Sequence, residues 1–285
     1  MSVRLTVAAL QQRISQHTSW RAYSAAQRAR VEAAVRQGAQ LLVFPEYGAI
    51  EAASIGGEAV YGDLARELEV ALALHDPFLA LHQDLAREFG VWILAPSLPT
   101  RDEARVINRA YLLGEGQTQH QDKQLMTRFE AESWGISPGG PLRPLQTPWG
   151  QVGVCICYDV EFPKLARCLV EQGAEFLLAP SCTDGLAGYH RVRIGAQARA
   201  LENQRFVVHA ATVGDAPWSA ALDTNVGAAA IYAPPDPMLC PDGVIAQGPL
   251  NAPDLWVVAE LDLDSAAAVR QGGQVLNDRD WDLQP

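Results

Sequence analysis

The sequence predicts an α/β fold in which strands and helices alternate and the β-sheet is mixed. Short apolar runs typical of strands recur along the chain, with amphipathic segments between most of them. Residues 106–113 and 117–121 are separated only by Gly114-Glu115-Gly116, which is typical of a β-hairpin. Alternation of strands and helices favours parallel pairing of strands, whereas a hairpin requires antiparallel pairing. We therefore expect both kinds of pairing in the sheet. With 285 residues, 48% of them hydrophobic, the chain can form one sizeable core, and we expect one domain over residues 1–285.

In the N-terminal half, each predicted element has its own local signal. Residues 5–10 are an apolar run that predicts the first strand. Residues 20–37 predict a helix because apolar residues recur at helical spacing, and Gly38 ends it. Asp76-Pro77 begins a second helix that runs to residue 89. The remaining elements are strands at 41–44 and 91–95 and the hairpin described above.

In the C-terminal half, residues 151–157 form an apolar run that ends in a cysteine, which predicts a buried strand. Pro163 begins a helix over 163–172, because proline is favoured at the first helical position. Residues 189–203 predict another helix. The other predicted elements are strands at 176–179, 206–212, 228–232, 244–247 and 255–261, with loops at 137–141 and 233–237.

Composition excludes several classes of partner. The formal net charge is −11 and no run of lysine or arginine stands out, so we expect no nucleic acid and no membrane surface as partner. No apolar stretch approaches the roughly 18 residues of a membrane span, and the short apolar stretch at residues 1–7 leads us to expect no secretory signal there. We therefore expect a soluble, cytoplasmic protein. The five cysteines are odd in number and lie mostly in apolar contexts, which argues against disulfides.

Three polar residues stand where predicted strands end. Glu46 follows the run 41–44, Lys123 follows the second strand of the hairpin, and Cys157 closes the run 151–157. The carboxyl ends of strands are where α/β sheets place their active sites. A carboxylate can take the proton of a thiol, the thiolate can attack a carbonyl carbon, and an ammonium can stabilise the oxyanion that develops. These three residues are therefore candidate catalytic residues.

The residues alone leave other interpretations of Cys157 open. It could pair with His190 or His209 as in papain-like enzymes, although neither histidine stands in a sequence context typical of a base. Cys155 and Cys157 offer only two ligands from one strand, too few for a metal site, so we expect none. A relative that binds a small amide or a partner protein without turnover is a further alternative.

Three motifs carry a resemblance to a known family: Phe44-Pro45-Glu46, Lys123 and Cys157-Tyr158-Asp159. In this order they resemble the carbon–nitrogen hydrolase (nitrilase) superfamily, whose fold is a four-layer αββα sandwich of two facing sheets with helices outside. The resemblance extends from the first strand to the Asp242-Gly243 turn. It implies a catalytic triad of these glutamate, lysine and cysteine residues, a cysteine thioester intermediate, no metal or organic cofactor, and a homodimer.

The resemblance also implies further site residues. Glu130 stands four residues before Trp134, as the second glutamate of the family often does, and in the family this glutamate hydrogen-bonds near the lysine. We expect the backbone amide of Tyr158 to point into the oxyanion position, because it follows the nucleophile at a strand end. We expect Tyr47, Trp134 and Thr183 to line the substrate pocket.

The implied reaction is hydrolysis of a carbon–nitrogen bond in a small molecule. Relatives that cleave nitriles usually place Trp-Glu after the nucleophile, whereas this chain has Tyr158-Asp159, so we expect an amide or carbamoyl substrate rather than a nitrile. Acyl transfer from the thioester to an amine would use the same residues and stays open. Lys164, where the family often has glutamate, is a departure that bears on substrate preference.

Overall fold

Fifteen strands form the centre of the protein in a computed structural model that describes residues 3–284; Met1, Ser2 and Pro285, which belong to the predicted domain span, lie outside the described residues. The strands are β1 (Arg4–Arg13), β2 (Leu41–Val43), β3 (Trp92–Leu94), β4 (Leu98–Asp102), β5 (Arg105–Gly114), β6 (Gln117–Asp122), β7 (Ile136–Ser137), β8 (Leu145–Thr147), β9 (Gly150–Val154), β10 (Ala174–Ser181), β11 (Phe206–Asp215), β12 (Thr224–Asn225), β13 (Ala230–Tyr232), β14 (Val244–Gln247) and β15 (Leu255–Asp262).

Helices follow many of these strands, and three of the helices have a side-chain cap at their N terminus. Ser19, Asp63 and Asp262 accept a hydrogen bond from a backbone N–H in the first turn that follows, which satisfies a donor the helix leaves free. In residues 3–284, no helix is both long and apolar enough to cross a membrane. The helices are α1 (Trp20–Val35), α2 (Leu64–Ala73), α3 (His75–Phe89), α4 (Pro163–Glu171), α5 (Leu186–Asn203) and α6 (Leu263–Gly272), with short 3-10 helices at Gly48–Ala59, Cys157–Glu161 and Trp281–Leu283 and a π-helix at Glu130–Trp134.

The sheet is mixed, as predicted. Strand β1 pairs in parallel with β2 and with β11, and in antiparallel with β15. Strands β9, β10 and β11 are parallel to one another, whereas β5 and β6 form the predicted antiparallel hairpin. The hydrogen-bonded order is β4-β5-β3-β2-β1-β11-β10-β9-β8. The two halves of this sheet join at the carboxyl ends of β1 and β11, where Gln11 lies opposite Ala211.

Alternate residues of β1 show how the layers are stacked. Val7 points into a core that also contains Leu178 of β10, so the two halves of the sheet face each other. Ala8 points the other way, into a second core with Tyr23 of α1 and residues of α3. Helices α4 and α5 pack on the opposite half, where Ala196 joins the first core. The layers therefore follow the expected αββα order.

The chain around Cys157 differs from the prediction. The strand predicted over 151–157 is β9, which ends at Val154, and Cys157 begins the 3-10 helix Cys157–Glu161. Cys155 still donates its N–H to the Leu178 carbonyl at 2.9 Å, so pairing continues for one residue beyond the strand. Cys157 has a left-handed φ of 49°, which a β-strand does not accommodate. The prediction was wrong here because an apolar run indicates that residues are buried, but it does not show whether their backbone is extended or helical.

Residues 48–73 contain two elements that the sequence did not predict, the 3-10 helix Gly48–Ala59 and α2. The buried residues of α2 are Glu67 and Ala71 rather than large apolar side chains. Leu64, Leu68 and Leu72 nevertheless recur every four residues, a helical spacing from which this helix could have been predicted. Helix α6 near the C terminus was also not predicted.

Candidate active site

Two of the candidate residues meet as a buried ion pair. Glu46 lies three residues beyond β2, and Lys123 directly follows β6. The Lys123 ammonium donates to Oε1 of Glu46 at 2.7 Å, although 77 residues separate them in the chain. Each residue is only 1% exposed. The parallel and hairpin pairing of the sheet thus brings two strand ends together, out of contact with bulk water.

Glu130 is the second carboxylate on the same ammonium. Its oxygens accept hydrogen bonds from Lys123 Nζ at 2.7 and 2.6 Å. The Tyr47 hydroxyl donates to Oε1 at 2.8 Å, and the backbone N–H and hydroxyl of Thr127 donate to Oε2 at 2.9 and 2.8 Å. Burial acts to raise the pKa of Glu130, but the charge and hydrogen bonds of Lys123 outweigh it and lower the pKa. Glu130 is therefore held as a carboxylate.

The pKa of Glu46 differs from that of Glu130, because burial has the larger effect on Glu46. Its pKa is raised to about 7 by burial, with Glu130 adding to the increase and Lys123 opposing it. Besides the lysine, Oε1 accepts from the Asn108 side-chain amide at 2.9 Å and Oε2 accepts from the Cys182 backbone N–H at 3.1 Å. A carboxylate has about four acceptor positions, so one position remains for a further donor. The nearby Cys157 thiol acts to lower the pKa of Glu46, against the effect of burial.

The pKa of Lys123 shows what the two carboxylates do to the ammonium. Burial alone would lower this pKa, but attraction to Glu46 and Glu130 outweighs burial and raises the pKa well above its ordinary value. The ammonium therefore stays charged although it is only 1% exposed. A fixed buried cation is suited to stabilise negative charge that develops on a nearby oxygen.

Cys157 sits at a sharp turn beside this cluster. Its φ of 49° lies in the left-handed region, where a non-glycine residue is uncommon and often marks a functional site. The thiol is nearly buried and donates to the Cys182 carbonyl at 3.5 Å. Burial and the nearby Glu46 charge raise the pKa of Cys157 well above its ordinary value, against the opposing effect of Lys123. The resting thiol thus carries its proton and needs a base to become a nucleophile.

A cavity of about 910 Å³ opens onto these residues. Tyr47 and Trp134 pack together with ring centroids 4.8 Å apart and form an aromatic part of its wall. The Thr183 hydroxyl donates to the Val226 carbonyl at 2.6 Å, so towards the cavity it can act only as an acceptor. All the residues predicted from the sequence line this one cavity: Glu46, Tyr47, Lys123, Glu130, Trp134, Cys157, Tyr158 and Thr183.

Three residues that support the site were not predicted. Asn108 lies inside β5 rather than at its end, and the only signal was a buried amide within an apolar strand. Cys182 directly follows β10 and contacts Glu46 and Cys157 through its backbone, so the strand-end rule could have found it. The buried Asp159 accepts from the backbone N–H of Leu125 at 2.8 Å and so ties the segment after Lys123 to the turn at Cys157.

The histidine and metal interpretations find little support in the geometry. Neither His190 nor His209 lines the cavity, and the His209 ring is buried against the Ser181 hydroxyl, with Nε2 and Oγ 2.7 Å apart. Within the described residues, no group of three or more His, Cys, Asp or Glu side chains is arranged to hold a metal ion. The polar side chains that line the cavity carry carboxylates, the Lys123 ammonium, the guanidinium groups of Arg128 and Arg191, thiols and hydroxyl groups.

The chain matches the Carbon-nitrogen hydrolase family over residues 6–271. Together with the αββα sandwich, this match assigns the class of protein: the chain belongs to the carbon–nitrogen hydrolase family, a family of enzymes that includes amidases. The resemblance inferred from the three motifs is confirmed.

Individual relatives share only a minority of their residues with this chain. The probable hydrolase YhcX of Bacillus subtilis (strain 168) is 36% identical over 211 residues, 73% of this chain and 41% of that protein. The deaminated glutathione amidase of Yersinia enterocolitica is 33% identical over 146 residues, 46% of this chain and 51% of that protein. The chain thus spans about half the length of these curated relatives. A carbon–nitrogen hydrolase from Helicobacter pylori G27 shares the fold with a TM-score of 0.77 at 19% identity, covering 95% of this chain and 93% of that one.

Proposed function

We propose that this protein is a cysteine amidase that hydrolyses small carboxamides or carbamoyl compounds through a thioester. One observation carries the proposal: the Lys123 ammonium joins Glu46 and Glu130 beside the Cys157 thiol, in a cavity large enough for a small-molecule substrate. Of the two carboxylates, only Glu46 has a pKa raised to about 7. A carboxyl group with this pKa can both accept and return a proton near neutral pH.

The first half of the reaction forms the thioester. Glu46 takes the proton of Cys157 as the sulfur attacks the carbonyl carbon, and the C=O electrons move onto the oxygen. The oxyanion is held by the Lys123 ammonium and the Tyr158 backbone N–H. Lys123 has three donors, two of which bind Glu130 in the resting site, so one of these can turn to the oxyanion. Collapse of the intermediate breaks the C–N bond, and Glu46 gives its proton to the leaving ammonia or amine.

The second half releases the acid. Glu46, again a carboxylate, takes a proton from a water molecule that attacks the thioester carbon. The same two donors hold the second oxyanion. When the C–S bond breaks, the sulfur leaves as a thiolate and recovers its proton from Glu46. Every group used belongs to the chain, so the proposed reaction calls for no metal or organic cofactor.

An amide or carbamoyl substrate is favoured over a nitrile. The support comes from Tyr158-Asp159 after the nucleophile, and from the relative in Yersinia enterocolitica, which is named as an amidase. Tyr47, Trp134 and Thr183 would contact the acyl part of the substrate, since they line the same cavity. Nitrile hydrolysis and acyl transfer to an amine would require the same nucleophile, base and oxyanion donors.

Ammonia release from a panel of carboxamides, carbamoyl amines and nitriles tests the proposal. We expect wild-type protein to release ammonia from at least one amide or carbamoyl compound, and Cys157→Ala to fall to background while keeping its circular dichroism spectrum. The exposed Cys168 offers a matched control, and Cys168→Ala should keep wild-type rates. Turnover of nitriles alone would show that the protein is a nitrile hydrolase. Products formed only when an amine is added would show that it is an acyltransferase. An active Cys157→Ala variant would overturn the mechanism.

We also propose that the protein is a cytoplasmic homodimer that pairs through α5. Leu186, Ile194 and Leu201 are 55%, 63% and 45% exposed and recur at intervals of eight and seven residues, so they form one apolar stripe on this helix. Covering such a stripe with the same helix of a second copy would remove it from water. Sedimentation should give a dimer for the wild type and a monomer for Ile194→Arg.

A further inference from the structure

A loop between β11 and β12, residues 216–223, forms one side of the active-site cavity. Ala220, Ala221 and Asp223 of this loop line the cavity. The two alanines add little volume to the wall, so the cavity stays wide at this side. A simple amide such as acetamide would fill only a small part of about 910 Å³. The remaining space can hold the part of a substrate that extends beyond the reacting carbon.

This loop is held from behind by one buried carboxylate, Glu67 of α2. The Glu67 oxygens accept a hydrogen bond from the Ser219 hydroxyl and from the backbone N–H groups of Ala220 and Ala221, at 2.9 and 3.0 Å for the two amides. The Ser219 hydroxyl in turn accepts from the Leu222 N–H at 2.9 Å. The Glu67 carboxylate therefore accepts hydrogen bonds from three consecutive loop residues, and two of these residues line the cavity.

Glu67 is an unusual carboxylate for a structural role. It is 1% exposed, and within the described residues no basic side chain lies within ion-pair distance of it. A buried carboxylate without a cation is costly unless hydrogen bonds compensate for the lost water. All three of its donors come from the loop, and Glu67 itself does not line the cavity. Its contacts therefore define the position of the loop and leave the reacting groups untouched.

We propose that Glu67 is a positioning residue that sets substrate specificity, by fixing the loop 216–223 against the part of the amide that extends beyond the reacting carbon. This inference rests on the proposed amidase function, and it narrows the substrate class to amides whose acyl group is large enough to reach this wall. Small amides, which occupy only the space around Cys157, gain nothing from the loop. Longer amides gain binding energy from it.

The test compares Glu67→Gln with Glu69→Gln, which makes the same change at an exposed position of the same helix. Ser219→Ala removes one of the three hydrogen bonds and gives an intermediate case. Hydrogen exchange of the loop, followed by mass spectrometry, measures its anchoring without any substrate. We expect exchange of the Ala220 and Ala221 amides to speed up by about tenfold or more in Glu67→Gln, the change that corresponds to losing a charged hydrogen bond. Ser219→Ala should lie between Glu67→Gln and the wild type, and Glu69→Gln should match the wild type.

The kinetic part uses a short and a long aliphatic amide. In Glu67→Gln we expect kcat/KM for the long amide to fall by about tenfold through an increased KM, with the short amide nearly unchanged. Equal losses on both amides, or unchanged exchange of the loop, would overturn the proposal. If wild-type protein cleaves no amide, the amidase function fails, and the exchange measurement still decides whether Glu67 holds the loop.

Discussion

Two buried ionic clusters in this protein use the same kinds of side chain with different results. In the active-site cluster, which comprises Glu46, Glu130, Lys123 and Cys157, two carboxylates share one ammonium. In the second cluster, which we call the Glu51 cluster, one carboxylate binds the Arg30 guanidinium through both of its oxygens. Burial acts to raise the pKa of both Glu46 and Glu51. The pKa of Glu46 is nevertheless raised to about 7, whereas that of Glu51 is lowered.

The ratio of carboxylates to cations explains this difference. The Arg30 guanidinium also contacts Asp254 at 3.4 Å, but Asp254 is 48% exposed, so Glu51 is the one buried carboxylate among the described partners of Arg30. Glu51 also accepts from the Gln27 side-chain amide at 2.8 Å and the Ser15 backbone N–H at 3.0 Å. Glu46 shares its cation with Glu130, whose charge adds to the effect of burial. A buried carboxylate can therefore exchange a proton near neutral pH when it shares its cation with a second buried carboxylate, and is fixed in the charged state when the second carboxylate is solvated.

The largest expected effect separates the two clusters by activity. Glu46→Gln removes the proposed base, so kcat/KM for amide hydrolysis should fall by about 1,000-fold, within the range typical of general acid–base catalysis. Glu51→Gln removes a carboxylate of equal burial that touches no reacting group, so kcat/KM should stay close to the wild-type value in the fraction that is folded. Ammonia release by both variants, corrected for folded protein, measures this. Equal losses in the two variants would erase the distinction.

The next prediction compares how much the cation of the Glu51 cluster and a surface cation contribute to stability. Arg30→Met leaves the Glu51 carboxylate buried without its cation, which should lower the free energy of unfolding by about 3–5 kcal/mol. Arg28 lies on the same helix but is 43% exposed and pairs with Glu88 at the surface, so Arg28→Met should cost at most about 1 kcal/mol. Urea denaturation of both variants gives the comparison. A small loss in Arg30→Met would mean that Glu51 does not depend on this cation.

A smaller effect concerns the pH dependence of the active-site cluster. Glu46 must be ionised to act as a base, so kcat/KM should rise with pH through the pKa of Glu46, about 7. The charge of Glu130 raises this pKa. Glu130→Gln should therefore move the acidic limb of the kcat/KM profile to lower pH, by about one unit. A limb that stays in place would show that the shared cation does not set the pKa of Glu46.

Much of this site could be predicted because its reacting groups follow strands. Glu46 follows an apolar run, Cys157 closes another, and Lys123 follows the polar second strand of the hairpin. Such strand ends meet at one edge of an α/β sheet. Periodicity in the sequence likewise predicted the mixed sheet and most of its helices. These features depend on local chain order, which a single sequence displays directly.

The rest depends on contacts between distant segments. Glu67 binds Ser219, 152 residues further along the chain, and nothing in the local pattern of α2 points to that loop. Cys182 contributes through backbone groups, which any residue type could supply, so only its position directly after β10 could have indicated it. Arg30 and Glu51 belong to different elements, and their pairing follows from how α1 packs on the sheet. A single sequence carries no local signal for such long-range pairs.

The most direct measurement is an infrared titration of the carboxyl groups, comparing wild-type protein with Glu46→Gln between about pH 5 and about pH 9. If Glu46 is the proton acceptor of Cys157, the difference spectrum should contain a protonated carboxyl band that disappears with a midpoint near the pKa of Glu46, about 7. Glu51→Gln should leave that band in place. Asp159, whose pKa burial raises to about 6, titrates in both proteins and cancels in the difference. A difference spectrum without the band, or a band that has already disappeared at the low end of the range, would contradict the assignment of Glu46 as the group that exchanges the proton.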